Sequence, residues 1–123
     1  MNYLTARKRA IGLGSAKSGT MHHWSMTVTS YALLVLVPLF VFTFGPMLGE
    51  SHEAVTEYFA RPFPAIVAAL TLAVGMHHFK NGAKIAIEDY VHGLAGHILI
   101  IAATCLAYGL AAIGIFAIAR LAL

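Results

Sequence analysis

The sequence predicts an all-α integral membrane protein with three transmembrane helices, at about residues 24–44, 63–90 and 93–120. Three observations carry this prediction. Hydrophobic residues make up 59% of the 123-residue chain and charged residues only 11%, well below the roughly 25% of a soluble globular domain. Mean hydropathy is +0.79. The charges gather at the N-terminus, in a central loop and in one polar stretch. Between them lie three apolar runs near or above the ~20 residues that a spanning helix needs. Length and span number fit a single domain over residues 1–123. The lone cysteine, Cys105, excludes an intrachain disulfide and reads as a small packing residue inside an apolar run. The formal charge of +3 is modest and comes from a basic N-terminus. It reads as a topology signal rather than a nucleic-acid surface.

Residues 1–22 form a basic lead. Arg7, Lys8, Arg9 and Lys17 carry its charge, and Gly12, Gly14, Ser15, Ser18 and Gly19 make it loop-like. A cleavable signal peptide is not expected, because the apolar run starts only after more than twenty basic, glycine-containing residues. Two readings of the lead stand side by side. It is a tail that sets orientation, or Ser18 to Trp24 docks on a partner at the membrane surface, where tryptophan is favoured.

The first span opens with Ser25, Thr27, Thr29, Ser30 and Tyr31 and is fully apolar from Leu33 to Phe44. Its hydroxyls either bond their own backbone or line a polar pocket at that end. Pro38 is tolerated mid-helix in a membrane and marks an expected bend. Residues 45–62 form an acidic loop, broken by Gly45-Pro46 and Gly49 and charged by Glu50, Glu53 and Glu57, with a short surface helix over 52–60. His52 reads as a solvated histidine, and a metal site with Glu50 and Glu53 is the alternative.

Pro62 and Pro64 suit the start of the second span, which is apolar from Ala65 to Met76 and polar from there to Tyr90. The third span carries Gly93, Gly96, Gly109, Gly114 and many alanines, and small residues allow close helix packing in lipid. Only Tyr90 to Gly93 separates the two spans, so they form an antiparallel hairpin. Orientation follows from Lys and Arg near the span ends. Arg7, Lys8, Arg9, Lys17, Lys80 and Lys84 fall on the N-terminal side, and Arg61 and Arg120 on the other. The N-terminus and the Asp89-Tyr90 turn are therefore expected to be cytoplasmic (or matrix-side), and the acidic loop periplasmic.

The stretch from Gly75 to His92 carries the chemistry. At ~100° per residue, His78, Gly82 and Asp89 share one helix face, with about 16 Å of rise between His78 and Asp89. Lysines such as Lys80 and Lys84 can snorkel, but His77 and His78 sit midway along an apolar span, where polar groups are costly. A mid-membrane histidine serves as a haem ligand, a proton relay or a buried hydrogen-bonding partner. Gly82, one turn after His78, favours the first, since a porphyrin lies flat on a helix only where side chains are small. His22, His23, His92 and His97 lie near span ends, so none matches His78 in depth. A second axial ligand is therefore expected from another chain. Asp89 and Tyr90 offer a quinone head group a phenol donor and a carboxylate for proton delivery.

The spacing His78-x3-Gly82-x6-Asp89-Tyr90 on the second of three spans resembles the small hydrophobic membrane anchor of succinate dehydrogenase, respiratory complex II. The lead Ser18-Gly19-Thr20-Met21-His22 is similar to that family's approach to its first helix. The resemblance covers nearly the whole chain. It implies pairing with a second three-helix anchor of the cytochrome b type, with one haem b held between the two. The residue matching His78 supplies one axial ligand, to the haem iron. The residue matching Tyr90 hydrogen-bonds ubiquinone, with the residue matching Asp89 close by. The rest of the complex is an iron–sulfur subunit and a flavoprotein subunit. The family's common arginine early in helix one has no counterpart in Trp24 to Ser30, so no role for it carries over.

The expected function is thus a membrane anchor of a succinate:ubiquinone oxidoreductase, non-catalytic alone. The chain has no phosphate-binding glycine loop and no cysteine set for a cluster. One rival is a small transport protein relaying protons through His78 and Asp89. Another is a structural assembly protein whose histidines bind nothing. A bacterial inner membrane is the expected location, with a mitochondrial inner membrane as alternative, since the lead is not an amphipathic, Arg- and Ser-rich transit peptide.

Overall fold

The computed structural model describes residues 3–14 and 18–123. Ser15 and Lys17, counted above in the lead, lie outside the described residues. Five α-helices follow in order: α1 (Ala6–Ile11), α2 (Ser18–Phe44), α3 (His52–Phe59), α4 (Pro62–Tyr90) and α5 (Gly93–Ala122). A 3-10 turn, Gly45–Met47, closes α2. Among the described residues, three helices are long and apolar enough to cross a membrane: Gly19–Met47, Pro62–Tyr90 and Gly93–Ala122.

The local signals act as their chemistry requires. Thr5 Oγ1 caps α1 by accepting from the Lys8 N–H at 3.2 Å. Ser51 Oγ caps α3 by accepting from the Ala54 N–H at 3.2 Å. Pro62 stands at the start of α4, where a missing N–H removes no helical bond. The lead is the main correction. Arg7, Lys8 and Arg9 lie in α1 rather than in a loop, and α2 begins at Ser18, six residues before the expected start at Trp24. A glycine costs a helix only about 1 kcal/mol, and no proline follows until Pro38, so the long apolar helix propagates back through Gly19. The helix also runs on through Pro38.

In α2, Thr27, Thr29 and Ser30 bond back to carbonyls of the preceding turn. That satisfies their hydroxyls inside the helix. The register of α2 on α4 is antiparallel: Ser25 meets Asn81, Thr29 meets His78 and the Leu36 carbonyl meets Thr71. The register of α4 on α5 is also antiparallel, with Lys80 on Tyr108 and Leu72 beside Gly114. So α4 is the middle helix and packs on both others. The hairpin turn uses two glycines for different reasons. Gly93 has a φ of 72°, where side chains are strained. A Cβ at Gly96 would run into the Val91 carbonyl, so the α4–α5 turn closes only over a bare Cα.

The burial pattern is inverted relative to a soluble protein. The buried apolar residues are few (Phe59, Ala65, Val67, Ala68, Ala107), while Asn81 is only 5% exposed. Phe42, Ile113 and Phe116 are at least 65% exposed. An apolar exterior around polar helix–helix contacts is what a lipid or partner-chain environment favours.

Candidate functional site in the polar seam between α2 and α4

The seam is built by the hydroxyl-bearing start of α2 and the polar end of α4. Thr29 Oγ1 lies 2.9 Å from His78 Nδ1. The Thr29 hydroxyl has a single proton, and it is directed at the Ser25 and Met26 carbonyls at 2.9 and 3.0 Å. Toward His78 the oxygen therefore accepts, which places the imidazole proton on Nδ1 and leaves the Nε2 lone pair open. Nε2 of His78 makes no hydrogen bond among the described residues.

His77 is held differently. Its Nε2 lies 3.3 Å from Ser25 Oγ, and the same oxygen accepts from Asn81 Nδ2 at 3.4 Å. The Ser25 proton is then left for His77 Nε2. The two neighbouring histidines are thus distinguished by their partners: Nε2 is engaged in His77 and open in His78.

Gly82 sits one turn beyond His78 on the α2-facing side, where an added Cβ would be 3.9 Å from Met26 Cε. Asp89 and Tyr90 end α4, and Tyr90 is 85% exposed. The structure brings His78, Thr29 and Gly82 together and keeps Asp89 and Tyr90 apart from them, at the helix end. No hydrogen bond among the described residues connects the seam to Asp89. Sequence reasoning missed Thr29 and Ser25 as partners of the two histidines. Their spacing of four, one helical turn, was a signal that α2 presents two hydroxyls on one face.

His52 is exposed at the start of α3, and no group of three His, Cys, Asp or Glu side chains among the described residues is placed to hold a metal ion. The alternative site with Glu50 and Glu53 is therefore not formed. Of the lead residues expected to dock, His23 and Trp24 are exposed on the first turns of α2, and His22 turns inward.

Three helices long and apolar enough to span, a polar seam along the central one and an aromatic–acidic helix end define a polytopic membrane protein. The model of the family described as succinate dehydrogenase/fumarate reductase transmembrane subunit matches residues 1–117. The succinate dehydrogenase hydrophobic membrane anchor subunit of Paracoccus denitrificans is 46% identical over 123 residues, covering 100% of this chain and 95% of that one. The subunit of the same name in Rickettsia conorii is 30% identical over 97 residues, 76% of each chain. The succinate dehydrogenase membrane anchor subunit of Reclinomonas americana is 30% identical over 80 residues, 63% of this chain and 67% of that one. No solved structure matches significantly. The chain belongs to the succinate dehydrogenase/fumarate reductase transmembrane subunit family, as a membrane anchor of succinate dehydrogenase.

Proposed function

We propose that this anchor holds one b-type haem together with a partner anchor and forms part of the site where ubiquinone is reduced. The observation that carries the haem half is the Thr29–His78 hydrogen bond. A ligating histidine characteristically donates its second ring N–H to a fixed acceptor, which sets the tautomer and the ring orientation. His78 has that arrangement, with Nδ1 facing Thr29 Oγ1 and Nε2 free of hydrogen bonds among the described residues, so the donor chemistry fits an iron ligand. The haem, when bound, supplies a one-electron redox centre. The partner anchor would supply the other protein ligand. Gly82 leaves the α4 surface low beside the ligand.

At the end of α4, the Tyr90 phenol donates a hydrogen bond to a quinone carbonyl oxygen. That polarises the carbonyl toward electron uptake. Asp89 is solvent-accessible and one residue away, and its carboxylate passes protons from water as the quinone takes two electrons and two protons to become the quinol. The electrons arrive from the iron–sulfur subunit, which docks on the same face and is fed by the flavoprotein that oxidises succinate. The face is the cytoplasmic one, where the basic α1 and the lysines of α4 gather, and the membrane is the bacterial inner membrane. The proton-relay alternative is less favoured, since no hydrogen bond among the described residues links His78 to Asp89.

The quinone half is tested by succinate-driven quinone reduction in the assembled complex. Tyr90→Phe is expected to lower quinone turnover about tenfold or more, while succinate oxidation with an artificial acceptor stays unchanged. Equal quinone turnover in wild type and Tyr90→Phe would remove the phenol from the site.

A further inference from the structure

A cavity on another side of α4 has no part in the reading above. It holds about 360 Å³ between α2, α4 and α5, and is lined by His22, Lys80, Asn81, Lys84, Thr104 and Tyr108, with Ile100 as an apolar wall. Two ammonium groups line it and no carboxylate does. Lys84 meets Glu88 at 3.7 Å outside the cavity, as a half-exposed pair along the helix. Lys80 has no anionic partner among the described residues. Its Nζ donates to the Tyr108 hydroxyl at 3.2 Å and stands 5.3 Å from the centre of that ring. In the same cavity wall, His22 Nε2 is buried without a hydrogen-bond partner.

A cation at membrane depth without a counter-ion is costly, and so is a buried polar atom without a partner. One anion between Lys80, Lys84 and His22 would relieve both. The depth suits a phosphate. The 29 residues of α4 span about 44 Å against ~30 Å of hydrocarbon. Lys84 and Lys80 lie about 9 and 15 Å of rise before Tyr90, and lysine stems reach outward from there. Their charges are thus near the level where headgroups meet acyl chains. Around α4, Lys80 and Lys84 project roughly 160° and 120° away from His78, so a group ligated by His78 does not serve this cavity. A neighbouring cavity of about 350 Å³ shares Lys84 and Ile100 with it and continues the groove past Glu88, Gly96 and His97, so the one carboxylate of the groove lies at its far end, beyond Lys84.

We propose that this groove binds the phosphate of an anionic membrane phospholipid, held by Lys80, Lys84 and the His22 ring. Basic pockets between spanning helices on the positively charged side recognise anionic headgroups. A free phosphate ion would have to shed its hydration to reach Lys80, whereas a lipid brings its phosphate to this depth with its chains along Ile100.

The test uses the assembled, detergent-purified complex and native mass spectrometry after exchange into phosphatidylglycerol, phosphatidylcholine or inorganic phosphate. Wild type is expected to retain phosphatidylglycerol over phosphatidylcholine, and inorganic phosphate is expected not to displace it. Lys80→Gln and Lys84→Gln should each weaken retention roughly fivefold, with Lys80→Arg restoring it. If Lys80→Gln fails to assemble, Lys84→Gln carries the test. Retention unaffected by Lys80→Gln, or equal retention of phosphatidylcholine, overturns the proposal, and displacement by inorganic phosphate reassigns the groove to the free ion.

Discussion

His77 and His78 are adjacent and chemically identical, and their hydrogen bonds as well as their helix faces tell them apart. Ser25 and Asn81 engage His77, while Thr29 fixes the Nδ1 proton of His78. Thr29→Val keeps the side-chain shape and removes the acceptor. It is expected to lower haem retention about tenfold, as loss of an outer hydrogen bond to a metal-ligating histidine does, with the assembled complex intact by gel filtration. Unchanged retention would show that Thr29 does not orient the ligand. Gly82 provides a second test at this scale. A methyl group there meets Met26 at ordinary contact distance, so the chain itself accommodates alanine and gains helix propensity of about 1 kcal/mol. Gly82→Ala should leave thermal stability equal or higher and shift the haem bands. Unshifted bands would place the porphyrin away from Gly82. His78 stood out in the sequence because a histidine is costly at its depth, and Gly82, Asp89 and Tyr90 stood out by their spacing from it. Thr29 and Ser25 did not, because a hydroxyl in a helix usually satisfies itself, and only the register of α2 on α4 shows that these two also reach across.

Among the elements, α3, α4 and α5 were readable to within two residues at each end, since proline, glycine and abrupt polarity changes bound them. The start of α2 was not, because Ser18 and Gly19 have the composition of a loop while the backbone there is helical. The α4–α5 turn is the tightest constraint among the elements. With two residues between the helices, Gly96 has to pass beneath the Val91 carbonyl, where a side chain cannot fit. Gly96→Val is expected to cost about 2–3 kcal/mol, read as a lower temperature of dissociation for the purified complex. A wild-type dissociation temperature would mean the turn relaxes without loss. Small residues do not act alike along α5, since Gly114 abuts Leu72 while Gly109 faces open space.

For the molecule as a whole, polar contacts lie between helices and large apolar side chains face outward, so the fold is complete only in lipid and beside partner chains. Composition alone made that legible. The order of packing, with α4 in the middle, was only half legible: the short turn dictates the α4–α5 hairpin, but three apolar helices carry no amphipathic stripe to say which face of α2 meets α4. The central claim is that α4 presents one histidine, His78, to a haem shared with the partner anchor. The most direct test is a reduced-minus-oxidised absorbance spectrum of the purified complex, comparing wild type with His78→Ala and His77→Ala. The account predicts b-type bands in wild type that are lost or shifted in His78→Ala and kept in His77→Ala. Loss of the bands in His77→Ala alone, or their absence from wild type, would contradict it.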